Sequence, residues 1–355
     1  AIEIRVPQGY DGHWFALIDP VSADAGVLPS VYNDAALYGK VQAFGPGSLA
    51  LFPAGAEQSS SGTSVGVGYE TDDLRLDIGT TPIGFPVEDI VGGIQYDGRL
   101  GGLNYNLDLA RRPVTSSLLS YAGAYDPVTQ EIWGGVGGGG LDARLAYYGP
   151  RFSASASAGY HHLAGKNVPG NSFLSARSGA DWRVIDREDM RAYAGLGLTW
   201  WSYSKYLGEY TFGHGGYYSP QTYVSFSVPL EWTGRWGRLA YQLRGSGSVS
   251  YSQIDAADFY PGDAALQAAA LGMPLPSGYS APVYGGSSGS GTGYSLKAAL
   301  EYEITPHWFI GGNLDIDRSA YYAPNFLQGY LRYDFDPQKL PIFFPPRPPR
   351  SYSRF

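Results

Sequence analysis

Residues 292–317, with the sequence TGYSLKAALEYEITPHWFIGGNLDID, decide the fold of this chain. Apolar and polar side chains alternate along 294–304, break at Thr305-Pro306, and alternate again along 308–317. Because successive side chains of a strand point to opposite faces, each run predicts a strand with one apolar face, and the break predicts a hairpin turn. Each strand has about ten residues, the length that crosses a bilayer at a tilt of roughly 45°. Tyr and Trp at the ends of the apolar faces favour a membrane strand pair, although a soluble β-sandwich shows the same alternation.

The composition favours a membrane β-barrel. The chain has 355 residues with 50 Gly, 30 Tyr and no Cys, and its mean hydropathy is -0.19. No apolar run reaches the ~18 residues of a membrane helix, and half of every barrel strand faces water, which keeps the hydropathy low. The net charge of -8 gives no basic surface for nucleic acid, so no nucleic-acid partner is expected. No signal peptide precedes Ala1, so we expect a mature or excised segment.

The lengths of the predicted connections alternate. Short connections are predicted at 71–73, 97–101, 149–151, 185–190, 233–237 and 305–306. The others are mostly longer, at 45–61, 80–90, 111–130, 161–172, 204–221, 253–291 and 318–325. Since outer-membrane barrels have short periplasmic turns and long outer loops, the pattern predicts an all-β transmembrane antiparallel barrel of about 16 strands over residues 1–336, with periplasmic N- and C-termini. This count includes a strand at 32–44, treats 133–148 as one strand, and leaves a short helix at 264–271 inside the longest loop.

The facing pattern assigns the two sides of the wall. Along 239–252, Leu239, Tyr241, Leu243 and Val249 share one face, whereas Gln242, Arg244, Ser246, Ser248 and Ser250 share the other. Along 173–184, Arg177, Asp181 and Arg183 likewise lie on one face. A charge on the lipid face costs about 2–4 kcal/mol at mid-bilayer, so the charged faces are predicted to line a water-filled lumen.

No catalytic or metal constellation stands out. The segment Gly285-Gly286-Ser287-Ser288-Gly289 matches a nucleophile-elbow pattern, but it lies in a Ser/Gly tract without a strand before it or a helix after it. His161, His162 and His214 lack metal-ligand spacing, and surface histidines are the preferred interpretation. Asp315 and Asp317 are interpreted as wall charges rather than as a glycosidase pair. We therefore expect no enzyme, no cofactor and no metal site.

Several segments resemble the C-terminal outer-membrane porin domain of the C component of bacterial cellulose synthase, a cellulose export channel. They are GEYTFGHGGYYSPQ at 208–221, DIGTTPIGF at 77–85, VGGI at 91–94, RRPVTSSLL at 111–119, GKNV at 165–168 and YAP at 322–324. The resemblance spans nearly the whole chain in matching order. It implies an outer-membrane location, contact with lipid and lipopolysaccharide, and export of a β-1,4-glucan such as cellulose. It also implies, in the full-length protein, a periplasmic helical-repeat region and an inner-membrane synthase complex as partners.

A conduit for a neutral glucan needs aromatic platforms and small polar groups. Aromatic residues predicted to face the lumen are Trp201, Tyr203, Phe309, Phe326 and Tyr330, and the carboxylates Asp315 and Asp317 join them. The long loops are expected to fold over the mouth and to place Phe85, Arg111, Arg112, Tyr217, Tyr218 and Gln221 at the exit. Two alternatives stay open at this point. One is a general diffusion or oligosaccharide uptake porin, and the other is a barrel-embedded enzyme, which would need a Ser/His/acid set that the sequence does not reveal.

The Pro-rich tail at 337–355 is predicted to be extended and stiff, because proline cannot donate to a β-ladder. We expect this tail to turn back into or across the periplasmic mouth. In that position Arg347, Arg350 and Arg354 would pair with lumen carboxylates such as Asp315 and Asp317. The alternatives are a disordered tail and a tail that docks a periplasmic partner.

Overall fold

Strands make up most of this protein. The computed structural model describes residues 1–9, 11–27, 57–126, 129–272, 279–319, 324–337, 340–349 and 352–354. The strands are β1 (Ile2–Gln8), β2 (Gly12–Val27), β3 (Glu57–Thr71), β4 (Leu74–Thr80), β5 (Ile90–Leu100), β6 (Leu103–Pro113), β7 (Ala124–Asp126), β8 (Glu131–Tyr148), β9 (Phe152–Lys166), β10 (Val168–Asp186), β11 (Met190–Tyr203), β12 (Thr222–Trp236), β13 (Leu239–Ile254), β14 (Ala257–Asp258), β15 (Val283–Tyr284), β16 (Ser287–Thr305), β17 (Trp308–Arg318) and β18 (Asn325–Tyr333). The helices are α1 (Leu118–Ala122), α2 (Ala264–Ala270) and one turn of 3-10 helix at Tyr352–Arg354.

One antiparallel sheet forms the barrel wall. Fifteen strands follow one another in chain order from β1 to β18, and the short β7 pairs with β8 as the sixteenth, while β14 and β15 pair separately. The predicted all-β antiparallel architecture and its strand number are confirmed. The strand predicted at 32–44 lies outside the described residues, and β2 pairs directly with β3.

The hairpin of β16 and β17 has the predicted alternation. Leu300 lies opposite Gly312 and Lys297 lies opposite Asp315. Leu296 is 53% exposed on the outer face, whereas Glu301 is buried on the inner face. A continuous exposed apolar belt of this kind is stable against lipid tails and not against water.

The connections lie at two opposite edges of the sheet, and the largest departure from the prediction is between β9 and β10. β9 and β10 continue to a turn of a single residue, Asn167, where the sequence predicts a loop over 161–172. Asn167 has a φ of 51°, in the left-handed region that Asn tolerates better than most residues. Its side-chain amide donates to the Glu131 carboxylate and to the Ile132 carbonyl, so β8 holds the turn from the side. The tight turn is therefore stabilised by contacts remote in sequence.

The first strand begins and the last strand ends at different heights of the sheet. The chain leaves β18 at Tyr333, which lies opposite Trp308 at the edge that carries the short turns. β1 also runs towards that edge, with Gln8 opposite Gly12, so its first residue lies away from it, with Ile2 opposite Ile18 part-way along β2. Ala1 lies part-way along β2, with its ammonium group 3.7 Å from the Asp19 carboxylate, and the periplasmic side of both termini stays a prediction.

Helices contribute only to the loops. Within the described ranges, no helix has the length and apolar character needed to cross a bilayer. The short helix predicted at 264–271 is present as α2, with the Asp263 carboxylate accepting hydrogen bonds from the amides of Ala265 and Leu266 at its N-terminus.

Candidate functional site

The inner face of the wall carries charges in pairs. The Arg244 guanidinium lies 2.9 Å from the Glu231 carboxylate. The Lys297 ammonium lies 3.6 Å from Asp315 and 3.8 Å from Asp317, on the neighbouring strand. These charged pairs make this part of the wall hydrophilic.

The predicted partners of the two aspartates differ from those in the structure. Asp315 and Asp317 lie beside Lys297, which projects from the adjacent strand at the same level, and the described part of the chain shows no ion pair between them and Arg347. Arg350 and the side chain of Arg354 lie outside the described residues. The expected pairing with Arg347 is therefore wrong, because the wall itself provides the counter-charge.

Aromatic rings form a row on the inner face of β9 to β12. Phe173 lies opposite His161 and Tyr203 in the strand register, with ring centroids 5.9 and 4.6 Å away. One level along, Trp201 stacks on Tyr223 at 4.0 Å with 9° between the ring planes. The structure thus brings Trp201 and Tyr203 together, as predicted candidates, and adds Phe173, His161 and Tyr223.

A second aromatic group lies near the short-turn edge. The Phe309 ring is fully buried, with the Arg332 guanidinium 4.0 Å from its centroid. The Tyr330 hydroxyl donates to the Glu301 carboxylate at 2.8 Å, and the same carboxylate binds Arg332. Phe326 lies opposite Asp315 in the register, two inner-face positions along β18 from Tyr330. These candidates are remote from the Tyr203 group along the strands.

The long loops pack into one buried cluster, called the loop cluster below. Its members are Leu119, Trp133, Val136, Leu163, Val168, Leu207, Phe212, Tyr217, Phe259, Tyr260, Ala270 and Tyr284. The segment 204–221 is its centre, since the Leu207 amide donates to the Ser219 hydroxyl at 2.8 Å and the Tyr284 hydroxyl donates to Thr211 at 3.1 Å. The loops therefore hold one another by specific hydrogen bonds as well as by apolar burial.

Asn171 connects this cluster to the wall. Its side-chain amide donates to the Lys205 carbonyl at 2.9 Å and to the Tyr217 hydroxyl at 3.1 Å. Its side-chain oxygen accepts from the Ser204 hydroxyl and from the Lys205 amide, both at 2.9 Å. All four hydrogen bonds of a buried amide are thus used to position the loop. Sequence reasoning missed Asn171, and its only signal was an Asn beside the single-residue turn.

Burial in the long loops disfavours the charged forms of the ionisable side chains there. Burial lowers the pKa of His214 to about 4, and its Nε2 lies 2.9 Å from the Asp258 carbonyl, to which the neutral ring donates. Burial raises the pKa of Glu209, whose carboxyl accepts a hydrogen bond from Tyr206 at 2.7 Å, and raises the pKa of Tyr217 to about 12. The interpretation of His214 as a surface histidine is wrong, because the packed loops enclose it completely.

The six residues predicted at the exit do not form one lining. Phe85 and Tyr217 are buried, Phe85 edge-on against Tyr121 of α1 at 5.1 Å. Arg111 pairs with Asp89, and Arg112 pairs with Asp77 on the wall. Gln221 joins the start of β12 to the end of β13, since its side-chain oxygen accepts a hydrogen bond from the Asp255 amide at 2.7 Å. Tyr218 is half-buried in the same loop. In this conformation the six side chains pack within the loops or pair with other residues of the wall.

The tail contacts the inner face at three places. Ile342 is buried against Ala240 and Phe309. The Phe344 ring has the guanidinium groups of Arg191 and Arg235 at 5.4 and 5.8 Å from its centroid.

Tyr352 makes the third and most extensive contact. Its amide donates to Asp19 at 3.2 Å, and its hydroxyl donates to Asp77 at 3.0 Å. The ring is buried beside Leu17 and Val91. Ser353, the next residue, hydrogen-bonds Tyr121 of α1, so the tail also touches the long loops.

The sequence of the wall and loops matches a known family. A family model described as "Cellulose synthase operon protein C C-terminus" matches residues 1–336. This chain belongs to that family. The resemblance found in the sequence motifs is confirmed.

Members of the family from several bacteria are similar to this chain. Cellulose synthase operon protein C of Salmonella typhimurium is 37% identical over 303 residues, covering 83% of this chain and 25% of the relative. The protein of the same name from Pseudomonas fluorescens is 32% identical over 354 residues, covering 98% of this chain and 26% of the relative. The chain thus spans about a quarter of the length of these relatives. A solved structure titled "Bacterial polysaccharide outer membrane secretin" is 11% identical, with a TM-score of 0.49, and covers 93% of this chain and 87% of its own.

Proposed function

We propose that this family member is an outer-membrane channel that secretes a linear polysaccharide, a β-1,4-glucan such as cellulose. The observation that carries the proposal is the match of residues 1–336 to a family named for the cellulose synthase operon, on a chain folded as an antiparallel barrel wall. The apolar outer face faces lipid and lipopolysaccharide, and the edge with the short turns faces the periplasm.

The chemistry of the inner face supports a neutral polymer as cargo. A β-1,4-glucan offers hydroxyl groups at the edge of each ring and weakly apolar ring faces. The row of Phe173, Tyr203 and Trp201 offers flat aromatic surfaces, and Ser246 and Ser295, 2.9 Å apart, offer small polar groups. Such contacts are individually weak and repeated, so a polymer can move from one to the next.

The proposed role is transport without catalysis. The described residues hold no group of three His, Asp or Glu placed to bind a metal. His161 is paired with Asp142, and the buried His214 donates to the Asp258 carbonyl, so both histidines have structural partners.

The loop cluster is proposed to be the outer gate of this channel. Its centre, residues 204–221, is joined to β10 through Asn171 and to the 257–284 region through Thr211 and His214. A gate of this type opens only when these contacts break together. The aromatic residues Phe85, Tyr217 and Tyr218 and the polar residues Arg111, Arg112 and Gln221 would then meet the emerging polymer.

The tail is proposed to enter the lumen from the periplasmic edge. The three contacts of Ile342, Phe344 and Tyr352 with different parts of the inner face support this path. An extended tail rises about 3.1 Å per residue, so the stretch from Ile342 to Tyr352 can span roughly 30 Å, the thickness of the hydrocarbon core. The tail would then fill the channel when no polymer is present.

In a longer protein of this family, the proposed partners at the periplasmic edge are a helical-repeat region and the inner-membrane synthase complex. A polymer delivered there would meet the tail first and the loop cluster last. The proposed domains are accordingly a barrel at 1–336 and a tail at 337–355 that regulates it.

Planar-bilayer recording tests the transport function. Cellohexaose should block the current through a chain lacking residues 337–355, with a characteristic residence time, while maltohexaose of equal length should block it at least tenfold less strongly. Equal block by the two sugars would instead indicate a general diffusion or uptake porin. A chain with Trp201→Ala and Tyr203→Ala should lose most of the difference between the sugars.

A further inference from the structure

Tyr352 occupies a recess that five neighbouring strands build, called the Tyr352 seat below. The seat consists of Leu17 and Asp19 on β2, Gly66 on β3, Asp77 and Gly79 on β4, Val91 on β5, and Arg112 on β6. We infer that the Tyr352 seat is a glucosyl-binding site on the export path, and that Tyr352 fills it as an internal substitute for a sugar ring. The inference rests on the proposed function.

The floor of the seat is flat. Gly66 and Gly79 are direct partners in the β3–β4 register, so two residues without side chains lie side by side. A Cβ atom would lie 2.7 Å from the Tyr352 ring at Gly66 and 2.5 Å from it at Gly79. The ring is therefore in close contact with the backbone, as only glycine permits. A pyranose ring in its chair form is a compact, roughly flat group that presents its C–H face to such a floor.

The rim of the seat has more hydrogen-bonding capacity than Tyr352 uses. The Asp77 carboxylate is paired with both terminal nitrogens of Arg112, at 2.6 and 2.7 Å, and accepts the Tyr352 hydroxyl at 3.0 Å. The Nε atom of Arg112 is buried and has no hydrogen-bond partner in the described part of the chain. The Tyr352 hydroxyl also interacts with the Arg112 side chain, yet the Nε atom itself has no acceptor at hydrogen-bond geometry among the described residues, which is unfavourable for a buried donor.

A glucosyl ring offers what the phenol lacks. Its neighbouring hydroxyl groups each donate and accept. One can donate to Asp77, as Tyr352 does, while the next accepts from the unpaired Nε of Arg112. The paired carboxylate and guanidinium, the flat floor and the apolar sides at Leu17 and Val91 together select a neutral ring with several hydroxyl groups.

Sugar and tail cannot occupy the seat together, because the Tyr352 ring already fills the space above Gly66 and Gly79. Any glucosyl unit that binds there must displace the tail, and the tail must lower the apparent affinity for the sugar. The export path would thus be closed by a group that the cargo itself replaces.

Calorimetric titration of the purified chain with cellohexaose tests this competition. Tyr352→Ala and removal of residues 337–355 should each raise the affinity for cellohexaose at least tenfold over the unaltered chain. In the chain lacking residues 337–355, Gly66→Ala should lower the affinity for cellohexaose at least tenfold. This substitution suits the test because the three atoms nearest to its Cβ all belong to Tyr352, so the wall stays undisturbed once the tail is absent.

Gly179→Ala is the matched control. Gly179 also lies on an inner-face position of a strand, and the nearest atom to its Cβ is a carbonyl oxygen at 3.5 Å, an ordinary contact. In the chain lacking residues 337–355, Gly179→Ala should leave the affinity for cellohexaose within twofold of that of the same chain without the substitution. Heat-modifiable electrophoretic mobility should be the same for all variants, as a check of folding.

Thiol labelling of the tail tests the competition in the full chain. A maleimide should label Ser353→Cys faster when cellohexaose is added, and maltohexaose should have no such effect. Cellohexaose binding that is unaffected by Gly66→Ala, together with unchanged labelling, would overturn the seat while leaving the export function intact. Absence of cellohexaose binding in every variant, with no current block, would overturn both.

Discussion

At the residue scale, Asn171 illustrates how one amide positions a gate. Replacing Asn171 by Ala removes four hydrogen bonds and leaves the Lys205 carbonyl and amide without their partners, which should weaken the loop cluster by about 3 kcal/mol. We expect limited proteolysis within 204–221 to accelerate roughly a hundredfold, because cleavage follows the population of the opened loop. Asn106→Ala, which removes a 2.9 Å hydrogen bond to Asp97 on the wall, is the control and should leave this rate unchanged. Equal proteolysis of both variants would contradict the assigned role.

His214 makes the same gate sensitive to pH. Its pKa in the folded loop is about 4, below the ordinary value of 6.5, so the opened loop binds a proton that the closed loop excludes. The stabilisation is complete above pH 6.5 and is lost as the pH falls towards 4. The His214 contribution alone should raise the opening constant of the loop roughly 30-fold between pH 7.5 and pH 5. The raised pKa of Glu209 acts in the opposite direction, since its protonated form favours the closed loop as the pH falls.

His214→Gln isolates the contribution of the imidazole. Glutamine can still donate to the Asp258 carbonyl but does not titrate. Hydrogen exchange of the Gly215 and Gly216 amides, which both donate to the Leu207 carbonyl, reports opening. The ratio of opening at pH 5 to that at pH 7.5 should fall by more than tenfold in His214→Gln. An unchanged ratio would show that another group carries the pH dependence.

At the scale of single elements, strand alternation could be predicted from sequence, because it depends only on side-chain period and solvent. Along β13, Leu243 is 41% exposed on the outer face, and Ser246 hydrogen-bonds Ser295 on the inner face. Ser246→Cys should therefore react with a membrane-impermeant thiol reagent, and Leu243→Cys only with a lipid-phase reagent. Ser248→Cys on the inner face and Val249→Cys on the outer face repeat the test further along β13. Reversed labelling in both pairs would contradict the facing assignment.

Other elements were beyond sequence reasoning for a physical reason. The single-residue turn at Asn167 depends on contacts with Glu131 and Ile132, and the burial of His214 depends on loops that meet only in space. The Tyr352 seat likewise assembles residues from five strands, and Gly66 and Gly79 look like ordinary strand glycines in the sequence. Local periodicity predicts which face a residue lies on. It carries no information on which remote side chain arrives there, so the predicted exit residues and tail path stay predictions.

At the scale of the whole molecule, the tail and the loop cluster are two obstructions in series. The tail contacts the inner face from Ile342 to Tyr352, and Ser353 reaches Tyr121 of α1, which packs on Phe85 beside the loops. The electrical resistances of constrictions in series add, so the narrower one limits the current. Removing only one obstruction leaves the other in control of ion flow.

This arrangement predicts a non-additive effect of two deletions. Removal of residues 337–355 should raise single-channel conductance and the leak of small antibiotics into cells moderately, and deletion of 208–219 should do the same. The double deletion should exceed the sum of the two increases several-fold, because only then does the lumen stay open from the periplasmic edge to the outer mouth. Heat-modifiable folding should persist in all three, since the sheet from β1 to β18 needs neither segment for its ladder.

Simple addition of the two single increases would indicate parallel leaks instead of one path. If the tail deletion alone left conductance and leak unchanged and the tail were readily proteolysed in the folded barrel, the tail would lie outside the pore. The loop cluster would then be the sole gate.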